Sequence, residues 1–359
     1  MFKNIMDDLV SDYLQTYLIN KYDVCSCDLC KKDIMAYALS RLPAKYVTTD
    51  VGAMKTVIEQ TRSENESEII KRIIEAIEVV SKTPRHEVKH NIEQAFHLLL
   101  NNLFVERGID FTRYQRGILK RRIATRMSAN GVKSYADYLR FLVTNPEEYN
   151  KIFDALTINI SEFFRDPDVF SELRNVISEM IAEKRENNDY VIRMWSAGCS
   201  KGQEAFSVVI LLNEILGADI SRFDIEVRGT DIDKKCLEHA KVGKYHKDSL
   251  KNVNKELLQK YFIPAGKEHY IVTPEIRKVV KFEYHNLVGD PYPENLDFIL
   301  CRNVFIFLSR SLQEQLISSY LKALSRGGYL VLGAVEILLG EARACFVEVS
   351  STNRIYRKK

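Results

Sequence analysis

The sequence predicts an α/β sheet in the C-terminal half of the chain, preceded by two all-α segments. Three observations carry that expectation. The stretch Tyr190 to Phe206 (YVIRMWSAGCSKGQEAF) has apolar Val191, Ile192, Met194 and Trp195, then a loop Gly198-Cys199-Ser200-Lys201-Gly202, then an apolar helix start carrying Glu204. A strand, a tight glycine loop and a helix in that order open a nucleotide- or cofactor-binding sheet. Three further strand-like runs, Ile225 to Gly229, Val279 to Tyr284 and Leu296 to Cys301, each lead to a polar residue, Asp231, Asn286 and Asn303. Upstream of residue 160 the apolar residues instead recur three and four apart, the helical period. The glycine loop lacks the full G-x-G-x-x-G that lets a backbone close on a pyrophosphate, so a ligand without phosphates fits it better.

The 359 residues suffice for two or three domains, each with its own core. An apolar share of 46%, 28% charged residues and a net charge of +3 describe an ordinary globular chain, and the charge is too small to argue for nucleic acid or a membrane surface by itself. No run approaches the length of a membrane span, and the opening MFKNIMDDLV has acids where a signal peptide needs an apolar stretch; a cytoplasmic protein without membrane insertion is expected. Seven cysteines, an odd number, argue for thiols or metal ligands rather than a disulfide framework. Cys199, Cys236, Cys301 and Cys345 lie singly in apolar segments and read as inert packing groups.

Residues 1 to 20 read as a helix with Ile5, Met6, Leu9, Tyr13, Leu14 and Tyr17 on one face. Cys25, Cys27 and Cys30 follow at the start of a second amphipathic helix (Ile34, Met35, Ala38, Leu39) that stops at Leu42-Pro43. Three sulfurs at a helix start suit a zinc ion, which needs a fourth ligand; His86 and His90 are the candidates, and a reduced, metal-free cluster is the alternative. The cysteine cluster and the run from Asp33-Ile34-Met35-Ala36 to Ser40-Arg41-Leu42-Pro43-Ala44-Lys45-Tyr46-Val47-Thr48 resemble the ComFB family over residues 1 to 85. That resemblance implies a helical module, often a homodimer, in a family proposed to include cyclic-dinucleotide receptors. Residues 61 to 68 are polar, Ile69 to Val80 is helical with Ile70, Ile73, Ile74 and Ile77 inward, and Pro84 marks the boundary.

In the second segment Thr112 is the expected cap of a helix bearing Arg113, Arg116, Lys120, Arg121, Arg122 and Arg126, with Ile118, Leu119, Ile123 and Met127 for the core. The cations are too many for one stripe, so part of the helix is a basic surface. It points to an acidic protein partner; the plain alternative is a solvated face balanced by Asp137, Glu147 and Glu148. No aromatic interleaving or DNA-binding motif accompanies it, and nucleic acid is not expected as a partner. Helices through Tyr135, Tyr138, Leu139 and Leu142, and from Pro146, complete the segment.

The segments Tyr114 to Met127, Leu156 to Asp166, Trp195 to Ser207, Thr230-Asp231-Ile232-Asp233 and Cys301-Arg302-Asn303-Val304 resemble, in order, the chemotaxis-receptor methyltransferases of the CheR type, over residues 90 to 345. The resemblance implies a Rossmann-like S-adenosylmethionine methyltransferase sheet with a small antiparallel β-subdomain between Tyr245 and Phe282. It implies contacts to S-adenosyl-L-methionine from Asn159, Ser161, Arg165, Glu204, Asp231, Asn286, Leu287, Asn303 and Val304, with Glu204 pairing the amino group and Arg165 the catalytic candidate. The residues agree with it: that cofactor has no phosphate, an acid at a second strand end suits ribose hydroxyls, and side-chain amides offer both donors and acceptors. The implied reaction is methylation of glutamates on methyl-accepting chemotaxis receptors. A glutamate, with a pKa of about 4.3, is already an anionic nucleophile at neutral pH, so no general base is required.

The chain departs from that family's pattern in three places. Phe307 stands where the motif N-V-x-I-Y-F has tyrosine, Gly202-Gln203-Glu204-Ala205-Phe206 replaces G-E-E-P-Y, and Gly333-Ala334-Val335-Glu336 lacks the serine often seen before that glutamate. Phe307 favours the rival reading, a signalling adaptor that binds cofactor or cyclic dinucleotide and docks on receptors without chemistry; nucleic-acid methylation by the basic helix is a weaker third. The helix Leu312 to Leu324 is expected to stop at Gly327-Gly328, before a strand Tyr329 to Leu332 and a hairpin of Cys345 to Val349 with Arg354 to Tyr356. The expected layout is a ComFB-like module at 1–88, a basic helical domain at 89–175 and the cofactor-binding domain at 176–359.

Overall fold

The computed structural model describes residues 2–20, 28–61, 63–82, 89–157, 159 and 161–359. The chain forms two compact units, Met1–Leu99 with Ser134–Ala136, and Leu100–Lys133 with Asp137–Lys359.

In the first unit β1 (Lys3–Asn4) leads into α1 (Ile5–Asn20) and α2 (Asp28–Leu39); β2 (Tyr46–Val47) pairs antiparallel with β1, and α3 (Asp50–Gln60) and α4 (Ser63–Lys82) follow. Ile5, Met6, Leu9, Val10 and Leu14 of α1 close on Cys30, Ile34 and Ala38 of α2 and on Ile69, Ile73, Ala76, Ile77 and Val80 of α4. On α4 Ile73 and Ile77 are buried as expected, but Ile69 completes the buried row, because these three repeat every fourth position, and Ile70 and Ile74 are only half-buried. Helix α3 was not anticipated: its apolar Val51, Met54 and Ile58 are exposed, so burial does not enforce a stripe there. Thr49 caps it by accepting from Gly52 N.

After α5 (Lys89–Arg107), the helices α6 (Arg116–Ala129), α7 (Tyr135–Thr144) and α8 (Glu147–Leu156) bury Leu119, Ile123, Met127, Leu142, Ile152 and Leu156. Thr112 is not the cap of α6. Asp110 accepts from Thr112 N across a short turn, Phe111–Arg113, and α6 begins only at Arg116 without a side-chain cap. Nor are all the expected surface cations on the surface. Arg126 makes a two-pronged pair with buried Glu148, at 2.8 Å on both oxygens, joined by the Tyr138 hydroxyl at 2.9 Å. Arg122 donates to Ala155 O at 2.6 Å. Glu148 therefore anchors this helix from inside rather than balancing an outer face.

The long helix α9 (Pro167–Glu186) precedes the sheet. Its strands are β3 (Val191–Ala197), then, after α10 (Gln203–Leu216), β4 (Asp224–Asp231) and α11 (Lys234–Val242). A three-stranded antiparallel sheet is inserted next: β5 (Lys244–His246), α12 (Lys255–Tyr261), β6 (Phe262–Pro264) and β7 (His269–Val272), in the order β5-β7-β6. After the short α13 (Pro274–Arg277), the main sheet resumes with β8 (Val280–Tyr284), β9 (Leu296–Cys301), α14 (Arg310–Ala323), β10 (Leu324–Leu332) and the hairpin β11 (Phe346–Ser350) and β12 (Ile355–Lys358). Its order is β11-β12-β10-β9-β3-β4-β8, with the five strands from β10 to β8 parallel and β12 and β11 antiparallel. Gly327 and Gly328 do not stop α14; they lie inside β10, where a side chain on Gly328 would sit 2.9 Å from Leu296 O of the neighbouring strand.

The chain winds outward from β3 to β4 and β8 on one side, and returns to β9 and β10 on the other. The strand order therefore reverses between β3 and β9, and ligands of open parallel sheets bind at the carboxyl ends of such a pair.

Candidate functional site

At that reversal the strand ends open into a cavity of about 1090 Å³, open mouth included. This is the scale of a small-molecule site. The loop after β3 contributes Gly198, Cys199 and Ser200; α10 contributes Glu204; the end of β4 contributes Asp231; the segment after β8 contributes His285, Asn286 and Leu287; and the segment after β9 contributes Arg302, Asn303, Val304 and Phe307. Asn159, Ser161 and Arg165 line it from the stretch before α9, and Tyr114 from the turn before α6. All the residues expected to hold a cofactor thus share one wall or another of one cavity.

Two glycines shape the first loop. Gly198 has φ +79°, and a Cβ there would lie 2.6 Å from Val304 Cγ2, so only glycine lets the loops after β3 and β9 approach each other. At Gly202, φ +88°, where α10 begins, a Cβ would lie 2.7 Å from Phe282 Cζ. Gly198 N and Cys199 N both donate to Thr230 O at 2.8 Å, and Ser200 N donates to Asp231 Oδ2 at 2.7 Å. Asp231 therefore fastens the glycine loop to the neighbouring strand end. Its other oxygen accepts from Asp233 N at 2.9 Å, while burial pushes its pKa up despite these bonds.

Glu204 is held from two sides, by the Ser196 hydroxyl at 2.7 Å and by the Arg302 guanidinium at 3.3 Å. Arg302 is buried and also donates to Asp166 at 2.7 Å and to Arg165 O at 2.9 Å, so one side chain ties the α9 entry, the α10 entry and the β9 exit together. Asn303 follows with φ +61°, its N–H donating to Glu336 Oε2 at 3.0 Å. Glu336 also accepts from Gly333 N at 2.6 Å and Ile306 N at 3.2 Å, and burial pushes its pKa up. Asn159 donates to Asp233 at 2.6 Å. Asn286 is turned on itself, its side-chain oxygen accepting from Val288 N at 3.0 Å.

Phe164, Asp166, Ser200 and Asn303 all have positive φ although none is glycine, and they surround this one region. Such strain concentrates where a ligand site needs it. Ser200 Oγ and Asn303 Oδ1 are buried and have no hydrogen-bond partner among the described residues. Both residues line the cavity, and a polar ligand there would satisfy them.

Sequence reasoning overlooked Arg302, Asp233 and Tyr114 as site residues, although each lies inside a motif it quoted. Their roles come from partners far along the chain: Arg302 to Asp166, Asp233 to Asn159 and Tyr114 to the segment after β9. Of the single cysteines, Cys199, Cys236 and Cys301 are buried with thiols pushed up by burial, whereas Cys345 is exposed and is no packing group. Of the expected zinc ligands, Cys30 is buried in the first core; Cys25, Cys27 and His86, and the side chain of His90, lie outside the described residues. No cluster of three or more metal-ligating side chains occurs among the described residues, and zinc has no support. Among the described residues no helix is long and apolar enough to cross a membrane.

Comparison with known families decides the ancestry. Residues 159–355 match the family described as CheR methyltransferase, SAM binding domain, and residues 94–157 its all-alpha domain.

The chain belongs to the CheR methyltransferase family.

Residues 3–84 match the family of the late competence development protein ComFB. Among curated relatives, a chemotaxis protein methyltransferase of Listeria innocua is 30% identical over 236 residues, 66% of this chain and 87% of that one. Chemotaxis protein methyltransferase Cher2 of Pseudomonas putida is 33% identical over 250 residues, 66% of this chain and 89% of that one. A 104.1 kDa protein of Rhodobacter capsulatus is 29% identical over 74% of this chain, which spans only 27% of that relative. The solved ComFB structure from Bacillus subtilis is similar at 22% identity over 25% of this chain and 98% of its own, with a TM-score of 0.24. As a CheR methyltransferase the chain is an S-adenosylmethionine-dependent enzyme, and the cavity suits that cofactor: two unsatisfied buried oxygens, a close glycine approach, and a strand-end acid, Asp231, in place of a phosphate cradle.

Proposed function

We propose that this CheR methyltransferase methylates glutamate side chains of methyl-accepting chemotaxis receptors, and that the cavity at the β3/β9 reversal is its cofactor site. The observation that supports the reading is the convergence of Asn159, Ser161, Arg165, Glu204, Asp231, Asn286, Leu287, Asn303 and Val304 on that one cavity. Glu204 presents a carboxylate to an amino group. Asp231 presents one to ribose hydroxyls. Held there, S-adenosylmethionine would supply a sulfonium methyl to a glutamate oxygen, with the carbon–sulfur bond breaking as the carbon–oxygen bond forms, an exchange that gives an ester and a thioether and needs no proton moved.

The chain's own contribution is position and desolvation. Holding two reactants in line is worth roughly 7 to 11 kcal/mol, so a site without a base still accelerates the transfer greatly. Arg165 is the proposed catalytic group, its charge orienting the incoming carboxylate. Exposed Arg116 and Arg121 on α6 suit an acidic receptor surface, whereas Arg122 and Arg126 are committed to the helical core. Arg122 also lies over the Phe307 ring at 5.6 Å. The ring there lacks a hydroxyl, and the reaction proposed needs none.

The test is incubation of the full chain with methyl-labelled cofactor and the cytoplasmic region of a cognate receptor. Base-labile label on glutamate is expected; none, with cofactor bound, would support the adaptor reading that Phe307 favours. The ComFB match at 3–84 supports a regulatory role for the first module. A rate that responds to added cyclic dinucleotide, or to dimerisation, would establish it, and an unchanged rate would remove it.

A further inference from the structure

The cavity is not walled by the sheet alone. Tyr114, Leu156 and Thr157 reach it from the helical segment. Thr157 spends its hydroxyl on Phe153 O at 3.0 Å, and Leu156 is apolar. Among the described residues the Tyr114 hydroxyl has no hydrogen-bond partner, although its side chain is well fixed. Its ring packs edge-on against buried Phe111 at 5.2 Å. Its backbone forms a β-bridge to Leu308, flanked by Gln115 N donating to Phe307 O at 2.8 Å and Ser309 N to Arg113 O at 2.9 Å. A three-residue strip of the helical segment is thus sewn to the loop that carries Asn303 and Val304. Tyr114 packs against Phe111 and lines the cavity.

Tyr114 lines the same cavity as Asp231. Burial, then the Asp231 carboxylate, pushes the Tyr114 pKa up to about 12, so the group is a donor at any working pH. On the cofactor reading above, Asp231 marks the ribose and Glu204 the amino-acid end.

We propose that Tyr114 is a cofactor-binding residue supplied by the helical segment, its O–H donating to the nucleoside half of the ligand, at a ribose oxygen or a purine ring nitrogen. The proposal rests on the cofactor reading of the cavity and adds a contact that the sheet does not provide. It also gives the helical segment a part in cofactor affinity besides any part in receptor docking.

The experiment is calorimetric titration of the full-length wild type and Tyr114→Phe with two ligands, S-adenosylhomocysteine and methylthioadenosine, which lacks the amino-acid end. Losing one neutral hydrogen bond worth 0.5–1.5 kcal/mol weakens both ligands in the Phe variant by about 2- to 13-fold, in the same proportion, with no change in melting temperature. A merely structural ring predicts no change, because phenylalanine keeps the packing on Phe111. Equal affinity of variant and wild type for both ligands would overturn the proposal, as would a loss confined to S-adenosylhomocysteine, which would move the hydroxyl to the amino-acid end. Failure of the wild type to bind either ligand would overturn the cofactor reading itself, and this role with it.

Discussion

Replacing Arg302 by methionine removes a side chain that joins the α9 entry, the α10 entry and the β9 exit. The guanidinium is 1% exposed and meets Asp166 at 2.7 Å and Glu204 at 3.3 Å, with Arg165 O accepting at 2.9 Å. Breaking a buried ion pair costs 3–5 kcal/mol because a charge is left uncompensated. Here the cost falls at the lower end of that range, since Asp166 is 42% exposed and regains water, whereas Glu204 is 13% exposed and does not. A loss of about 3 kcal/mol is expected, or about 6–12 °C in melting temperature for a unit of this size. Urea denaturation of Arg302→Met, Glu204→Gln and the double variant isolates the pair. A coupling of about 1 kcal/mol or more is predicted, because the second change should cost little once the first is made. Additivity within about 0.3 kcal/mol would refute the idea that Arg302 holds Glu204.

Gly198→Ala should cost about 1–3 kcal/mol through its left-handed backbone and weaken S-adenosylhomocysteine at least about tenfold, read by calorimetry, since the added methyl meets Val304; unchanged binding would contradict the close-approach argument. Phe307→Tyr should change turnover by less than about tenfold, because no proton is transferred; the rise of 10²-fold or more expected of a restored general acid–base group would show that the missing hydroxyl had disabled the enzyme. Burial raises the pKa of both Asp231 and Glu336, so the folded state binds their protons more tightly than the unfolded one. Their contribution to stability therefore declines as pH rises from the unfolded values of about 4 through the raised folded values, and levels off above them. Urea midpoints taken across that range should show a flatter slope in Glu336→Gln, and an unaltered slope would count against a charge held at a cost.

The sheet was legible in the sequence because its central strands β3 and β9 are largely buried and read as apolar runs, and β4, β8 and β9 each lead to a polar residue. The small subdomain, the strand-end asparagines and the hairpin were legible for the same reason or through the family's motifs. What escaped notice depends on distant partners. Glycine reads as a stop locally, yet Gly328 belongs to a strand because Leu296 O lies against it. Thr112 reads as the cap of α6, yet it lies inside a short turn capped by Asp110, and Gln115 N, which precedes α6, is spent on Phe307 O far along the chain. Arg126 and Glu148 read as surface charges, and only the fold turns them toward each other. Arg302 sits in a motif read for its neighbour Asn303, and its partners lie more than a hundred positions upstream or across the cavity.

The most direct measurement is calorimetry of S-adenosylhomocysteine and methylthioadenosine against the wild type and Glu204→Gln. One site per chain is predicted, with the glutamine variant weakening S-adenosylhomocysteine by tenfold or more, as about 1.5–3 kcal/mol for a charged hydrogen bond requires, and leaving methylthioadenosine unaffected. Absence of binding, or equal binding of S-adenosylhomocysteine by both proteins, would contradict the placement of the cofactor in this cavity.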